Sequence, residues 1–196
     1  MRGRGEERAG RSRAALLRRA ARIRLLLLDV DGVLTDGRLY YGEKGEVLKA
    51  FDVKDGHGLV LVRGFLELGV ISGRGGLART RLRELGFRQL AFAQKDKLVA
   101  YRRIASRRFP DQAVAYMGDD VNDLPLLARV GLSACPADAH PEVKARVEFV
   151  AERGGGRGAV RELCDLILAA RGRTASGART PPRRPARPRA TRGRAG

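Results

Sequence analysis

The sequence predicts an α/β fold, an open parallel sheet with helices on both faces. Two observations lead there. Short apolar runs recur along the middle of the 196-residue chain, each separated from the next by a stretch with helical spacing, the pattern of strands joined by crossover helices. Chemistry-bearing residues stand just past the carboxyl ends of those runs, where open α/β sheets bind ligands. The length fits one domain of about 150 residues plus extensions and leaves little room for two. The 43% of hydrophobic residues supply an ordinary core.

Taken in order, residues 1–22 carry eight Arg against Glu6 and Glu7 and read as a basic extension with a helix. The first strand is expected over 24–29, around Leu25 to Leu28. Two extended pieces, 38–41 and 46–51, joined by Gly42-Glu43-Lys44-Gly45, predict a β-hairpin inserted after it. A helical pattern with Val60 on its core side follows, and further strands are expected at 69–72, 88–92, 113–118 and 131–134. A helix over 95–108 sets Leu98, Tyr101, Ile104 and Ala105 on one face, and another over 120–129 does so with Leu124, Leu127 and Ala128. A last helix covers 159–171. Residues 173–196 are dominated by Arg, Pro, Ala, Gly and Thr without apolar periodicity and read as a disordered tail. The expected division is therefore 1–22, a domain over 23–172, and 173–196.

The net charge of +18 is a property of the ends. Residues 1–22 hold a net +6 and residues 171–196 a net +9, which leaves +3 for residues 23–170. A basic tail could bind RNA or lipid head groups; a solvated extension accounts for it equally well, so nucleic acid is not the expected main partner. No run approaches the roughly 18 apolar residues of a membrane span, and Leu25 to Leu28 is hemmed in by Arg24 and Asp29, so neither a span nor a signal peptide is expected. Cys135 and Cys164 are the only cysteines. They are too few for a disulfide scaffold and lack metal-ligand spacing, which fits a reducing, cytoplasmic setting.

The first strand ends in Asp29-Val30-Asp31-Gly32-Val33-Leu34-Thr35, with two carboxylates two residues apart at the rim. The fourth ends in Gly118-Asp119-Asp120-Val121-Asn122-Asp123, with three more acids. So many carboxylates at one rim repel each other unless a cation sits among them, and oxygen donors suit Mg²⁺. The second strand ends at Ser72-Gly73-Arg74, a hydroxyl and N–H groups for an anion, and Lys97 follows the third. In that order, each after its own strand, these residues make a phosphate-handling site.

These residues resemble the motifs of the haloacid dehalogenase superfamily of phosphohydrolases: Asp29 to Thr35, Ser72, Lys97 and Gly118 to Asp123. The chain is further similar to the 3-deoxy-D-manno-octulosonate 8-phosphate phosphatases of that superfamily. The likeness lies in Leu28 to Gly37, in Phe51-Asp52-Val53-Lys54-Asp55-Gly56-His57-Gly58, in Ala137-Asp138-Ala139-His140-Pro141 and in Gly154 to Glu162. It spans about residues 20 to 172. It implies a Rossmann-like haloacid dehalogenase fold and Mg²⁺-dependent hydrolysis of a sugar-acid phosphate for lipopolysaccharide precursors; a nine-carbon nonulosonate phosphate is an alternative substrate.

The resemblance assigns the roles as follows. Asp29 attacks phosphorus and forms an aspartyl-phosphate. Asp31 serves as general acid and base. Ser72 and Lys97 bind phosphoryl oxygens, and Asp123 orients Lys97. The metal ligands are the Asp29 and Asp119 carboxylates and the Asp31 backbone carbonyl. Asp52, Val53, Lys54, Asp55 and Gly56 match the stretch that meets the sugar acid, together with Asp31 and Lys97. Arg74 and Arg81 suit its carboxylate and phosphate, with Arg79 the alternative to Arg81. The histidines His57 and His140 are not expected among the ligands, since oxygen donors suit Mg²⁺ better. From Asp31 to Ser72 is 41 residues and from Ser72 to Lys97 is 25, which leaves no room for a cap domain. The family implies a homotetramer with shared active sites, with residues 38–50 between subunits and Gly154 to Gly158 reaching an adjacent site.

Overall fold

The computed structural model describes residues 3–105 and 108–174, with side-chain surroundings from Arg13 onward. Its centre is a six-stranded parallel sheet made of β1 (Leu25–Leu28), β4 (Glu67–Ile71), β5 (Gln89–Ala91), β6 (Val114–Met117), β7 (Leu132–Cys135) and β8 (Phe149–Val150). The order is β5-β4-β1-β6-β7-β8. A separate antiparallel pair, β2 (Tyr40–Gly42) with β3 (Gly45–Leu48), forms the hairpin between β1 and the first crossover helix.

β1 lies between β4 and β6, with Leu25 level with Glu67 on one side and Val114 on the other, so the carboxyl ends of all three strands share one rim. Its four leucines are fully buried, as a strand covered on both faces requires. Leu26 and Leu28 enter the core shared with α2 (Val53–Val62), α3 (Arg79–Glu84), α7 (Ala159–Ala170) and the end of α1 (Gly3–Arg22). Leu25 and Leu27 face the other way, toward α4 (Lys97–Ala105), α5 (Leu124–Leu127) and α6 (Pro141–Lys144). The period of two along a strand thus fills both layers.

Three features differ from the sequence reading. β8 is only two residues long, too short to show a pattern of its own, and it exists because Phe149 and Val150 pair with Ala134 and Cys135 at the sheet edge. Val60, expected in the core, is 37% exposed. α2 packs on α7 through Gly58, Leu59 and Val62, and Val60 falls outside that stripe. Finally, α1 is docked on the domain: Ala20 and Ile23 are fully buried, Leu16 joins the same core, and Arg19 donates to the Gly131 carbonyl at 3.1 Å. Most of the expected C-terminal tail, residues 175–196, lies outside the described residues.

Candidate active site

Asp29 follows β1 directly and keeps one more sheet bond, its N–H donating to the Met117 carbonyl at 3.0 Å, so it is held level with the end of β6. One carboxylate oxygen accepts the Val30 N–H at 2.6 Å, and the other contacts the ammonium of Lys97. Lys97 stands there because Asp96 caps α4, its Oδ1 accepting the N–H groups of Leu98 and Val99 at 2.8 and 3.1 Å. The lysine is only 5% exposed, and its Nζ also donates to Asp123 Oδ1 at 2.6 Å. Asp123, fully buried, accepts the N–H groups of Asp119 and Asp120 on its other oxygen and the Tyr116 hydroxyl on the first. It therefore ties the start of α4 to the turn after β6.

One oxygen from each of Asp29, Asp119 and Asp123 lies within 4.8 Å of the others. Burial pushes Asp119 up to about 7, with Asp29 and then Asp123 adding to it. Burial also pushes Asp29 upward, opposed by the charge of Lys97. For Lys97 burial works against the charge, yet Asp29 and Asp123 outweigh it and hold the ammonium above its ordinary value. Three carboxylates facing one ammonium leave negative charge uncompensated, and a hard cation with oxygen ligands balances it. The donor set fits Mg²⁺. Gly32 makes the approach possible: at φ +82°, a Cβ built on it would stand 2.0 Å from Asp119 Oδ2.

Asp29, Asp31, Ser72, Arg74, Lys97 and Asp119 line one cleft of about 220 Å³, together with Asn122 and neighbouring backbone. Ser72 is 2% exposed at the end of β4, and its Oγ accepts the Arg74 N–H at 3.2 Å. The hairpin adds residues that sequence reasoning missed. Lys49, just past β3, contacts the Asp31 carboxylate and lies 2.7 Å from Glu46. Those two acids hold its ammonium above the ordinary value although burial works against it. Arg74 reaches toward the same pair, 3.8 Å from Asp31 and 3.6 Å from Glu46, and donates to the Tyr41 hydroxyl at 3.0 Å. Asp31 thus faces two cations, Lys49 and Arg74, while lining the same cleft as Asp29. No local signal marks Lys49, which lies 18 residues from the acid it meets.

A family model for haloacid dehalogenase-like hydrolases matches residues 86–160. The 3-deoxy-D-manno-octulosonate 8-phosphate phosphatase of Yersinia pestis is 48% identical over 158 residues, 79% of this chain and 84% of that protein. The chain belongs to the haloacid dehalogenase-like hydrolases, in the family of the 3-deoxy-D-manno-octulosonate 8-phosphate phosphatases. The crystal structure of the Yersinia pestis protein superposes with a TM-score of 0.77 at 46% identity, covering 80% of this chain and 86% of that one. A Moraxella catarrhalis phosphatase of the same name, crystallised with magnesium, phosphate and a KDO molecule, is 35% identical with a TM-score of 0.76, over 79% of this chain and 91% of that one. This is a Mg²⁺-using family, in keeping with the acidic cluster.

Not every expected site residue of this haloacid dehalogenase-like hydrolase meets the cleft within one chain. Asp52 caps α2, accepting the Lys54 N–H, and Val53 and Lys54 are exposed beside it. Asp55 is buried at the far end of the chain's own packing: its two oxygens accept the Gly158 and Arg161 N–H groups, at 3.2 and 2.7 Å, at the start of α7. Burial pushes it up to about 6 in spite of those bonds. Gly56 packs against the guanidinium of Arg81, which pairs with Glu84 at 3.2 Å, while Arg79 stacks on Phe92 at 4.9 Å. None of these lines the 220 Å³ cleft. Within the chain, the glycine-rich segment Gly154 to Gly158 packs against the loop that follows Asp29. Gly156 N–H donates to the Val33 carbonyl at 2.9 Å, and a Cβ on Gly155 would stand 1.9 Å from the Gly32 carbonyl oxygen. The close backbone approach is why glycines stand there.

Proposed function

We propose that this chain hydrolyses 3-deoxy-D-manno-octulosonate 8-phosphate to the free sugar acid and inorganic phosphate, with Mg²⁺ as cofactor. The observation that carries the reading is Asp29, held at the sheet rim against Lys97 and beside Asp119, in a chain 48% identical to a phosphatase of that name. Asp29 and Asp119, with the Asp31 backbone carbonyl, would hold the metal. When bound, Mg²⁺ neutralises charge on the phosphoryl oxygens, so that one anion can approach another.

The chain's own residues supply the rest. An Asp29 oxygen attacks phosphorus as the bond from phosphorus to the sugar oxygen breaks, and Asp31 gives its proton to that oxygen. Lys97 and Ser72 stabilise the remaining phosphoryl oxygens, with Asp123 keeping Lys97 pointed at them. Asp31 then takes a proton from water, whose oxygen attacks phosphorus, and the bond from phosphorus to Asp29 breaks to release phosphate. Arg74, with its side chain 40% exposed at the edge of the cleft, is the group best placed for the substrate carboxylate.

The reading includes a homotetramer. Its support is the hairpin, where Leu39, Tyr40, Tyr41, Val47 and Leu48 are 39% to 64% exposed in one segment. A neighbour covering them would also bring fresh residues to an uncapped cleft, and the exposed Val53 and Lys54 with the half-buried Asp52 and Arg81 are the candidates for such a shared site. Phosphate release across a panel of eight- and nine-carbon sugar-acid phosphates and neutral sugar phosphates, before and after chelation, tests the activity. Folded Asp29→Asn protein should lose turnover by about a thousandfold or more; wild-type rates in that variant would overturn the mechanism. Light scattering tests the assembly.

A further inference from the structure

At the other end of the sheet, where β1, β4 and β5 begin, lies a second cavity of about 660 Å³ that shares no residue with the catalytic cleft. Arg24, Arg63, Arg88 and Arg108 line it, with Glu67 as the single acid. That acid is already engaged: Arg108 binds it at 2.9 Å, and Gln89 donates to it at 2.8 Å. Arg24 lies over the Phe109 ring at 5.6 Å and Arg108 over the same ring at 5.2 Å, so two guanidinium groups share one aromatic ring. The acceptor for Arg63 is the Glu84 carbonyl at 3.5 Å. Among the described residues neither Arg24 nor Arg88 meets a carboxylate. Residues 23–170 carry only +3 in all, so the positive charge at this end is the counterpart of the acids gathered at the opposite rim.

We propose that this cavity binds a polyphosphate chain, either that of a nucleoside triphosphate or its inorganic equivalent. Three guanidinium groups without an acid partner converge on one concavity, and like charges so placed favour an anion of several charges among them. Guanidinium forks match phosphate oxygens two at a time. The volume falls in the range of small-molecule sites, roughly 300 to 1,000 Å³. The aromatic rings at the cavity are already taken, Phe109 by Arg24 and Arg108, and Phe65 by Arg171 at 4.6 Å and Arg173 at 5.2 Å. No ring is left for a base to stack on, so recognition is of the phosphates and is indifferent to the base. The site is separate from the catalytic cleft: Arg24 and Asp29 stand at opposite ends of β1, roughly 16 Å apart at about 3.3 Å per residue.

Calorimetric titration of the full-length protein in magnesium-free buffer, with tripolyphosphate, ATP, CTP and orthophosphate as probes, tests this. Tripolyphosphate, ATP and CTP should bind within about threefold of one another and orthophosphate about tenfold more weakly or worse. The Arg24→Gln/Arg88→Gln protein, with its Arg-rich ends unchanged, should lose about tenfold in affinity, and Arg63→Gln alone should lose less. If only ATP and CTP bind, or one much better than the other, the ligand is a base and not the phosphate chain. Absence of binding, equal binding by the double variant, or displacement by the sugar-acid phosphate would each overturn the proposal. A ligand-induced rise in melting temperature that survives in Arg63→Gln but disappears in the double variant shows that the folded cavity, and not a misfolded one, is being read.

Discussion

Lys49 and Asp119 are the residues whose surroundings make the sharpest demands. Lys49 contacts the Asp31 carboxylate and fixes its position in the cleft, so a neutral side chain there leaves the proposed general acid unheld. Lys49→Met should lower kcat about tenfold, a fraction of what a general acid contributes, while Lys49→Arg recovers part of it; steady-state kinetics on both variants decide this. Burial pushes Asp119 up to about 7 from an ordinary 3.8, so near neutral pH about half of the carboxyls carry a proton that a metal must displace. Mg²⁺ affinity should therefore be level above pH 7 and fall by up to about tenfold per pH unit below it. Metal titrations from pH 8 to pH 5 would reveal the bend, and a flat profile would rule it out.

Among the elements, the glycine-rich segment runs so close to the loop after Asp29 that it leaves no room for a side chain at Gly155. Gly155→Ala would drive a methyl group into the Gly32 carbonyl and displace the loop that carries Asp29 and Asp31. We expect a loss of roughly 1–3 kcal/mol in stability, seen by thermal melting, together with a fall in kcat. How much of this was legible in the residues follows from range. The strands β1, β4, β5, β6 and β7 stand out because each is an apolar run between helical patterns, and Asp29, Ser72, Lys97 and Asp119 are found because they follow those runs. Helix ends were less legible. The pattern from residue 95 begins as a helix only at Lys97, since Asp96 spends its side chain on the cap. Asp55 reads as a site residue by its motif, but its oxygens bind N–H groups 103 and 106 residues further on, which no local pattern encodes. The same holds for Lys49 with Asp31, and for the edge pairing that creates β8.

For the whole molecule, the sequence division at residues 22 and 172 is our working proposal, with α1 docked on the domain and the chain after Arg173 outside the catalytic unit. A chain ending at Thr174 should keep kcat/KM within about twofold of the full-length value, because every described cleft residue precedes it. A chain ending at Gly158 should fail to fold, since Val160, Leu163, Ile167 and Leu168 of α7 are all fully buried. Sugar phosphate turnover and circular dichroism on the two chains separate these outcomes.

The docking of α1 against α7 also fixes when the protein can be completed. α1, early in the chain, packs against α7, made well over a hundred residues later, and Arg171 donates to the Ile23 carbonyl across the domain. β1, made early, must likewise wait for β6, 89 residues later, to cover its second edge. Such distant pairings carry a loop-closure cost before they are rewarded, which slows folding. Synthesis must therefore reach α7 before the sheet can be sealed, and a chain halted short of it exposes the apolar side of α1 and the leucines of β1 to whatever else is nearby.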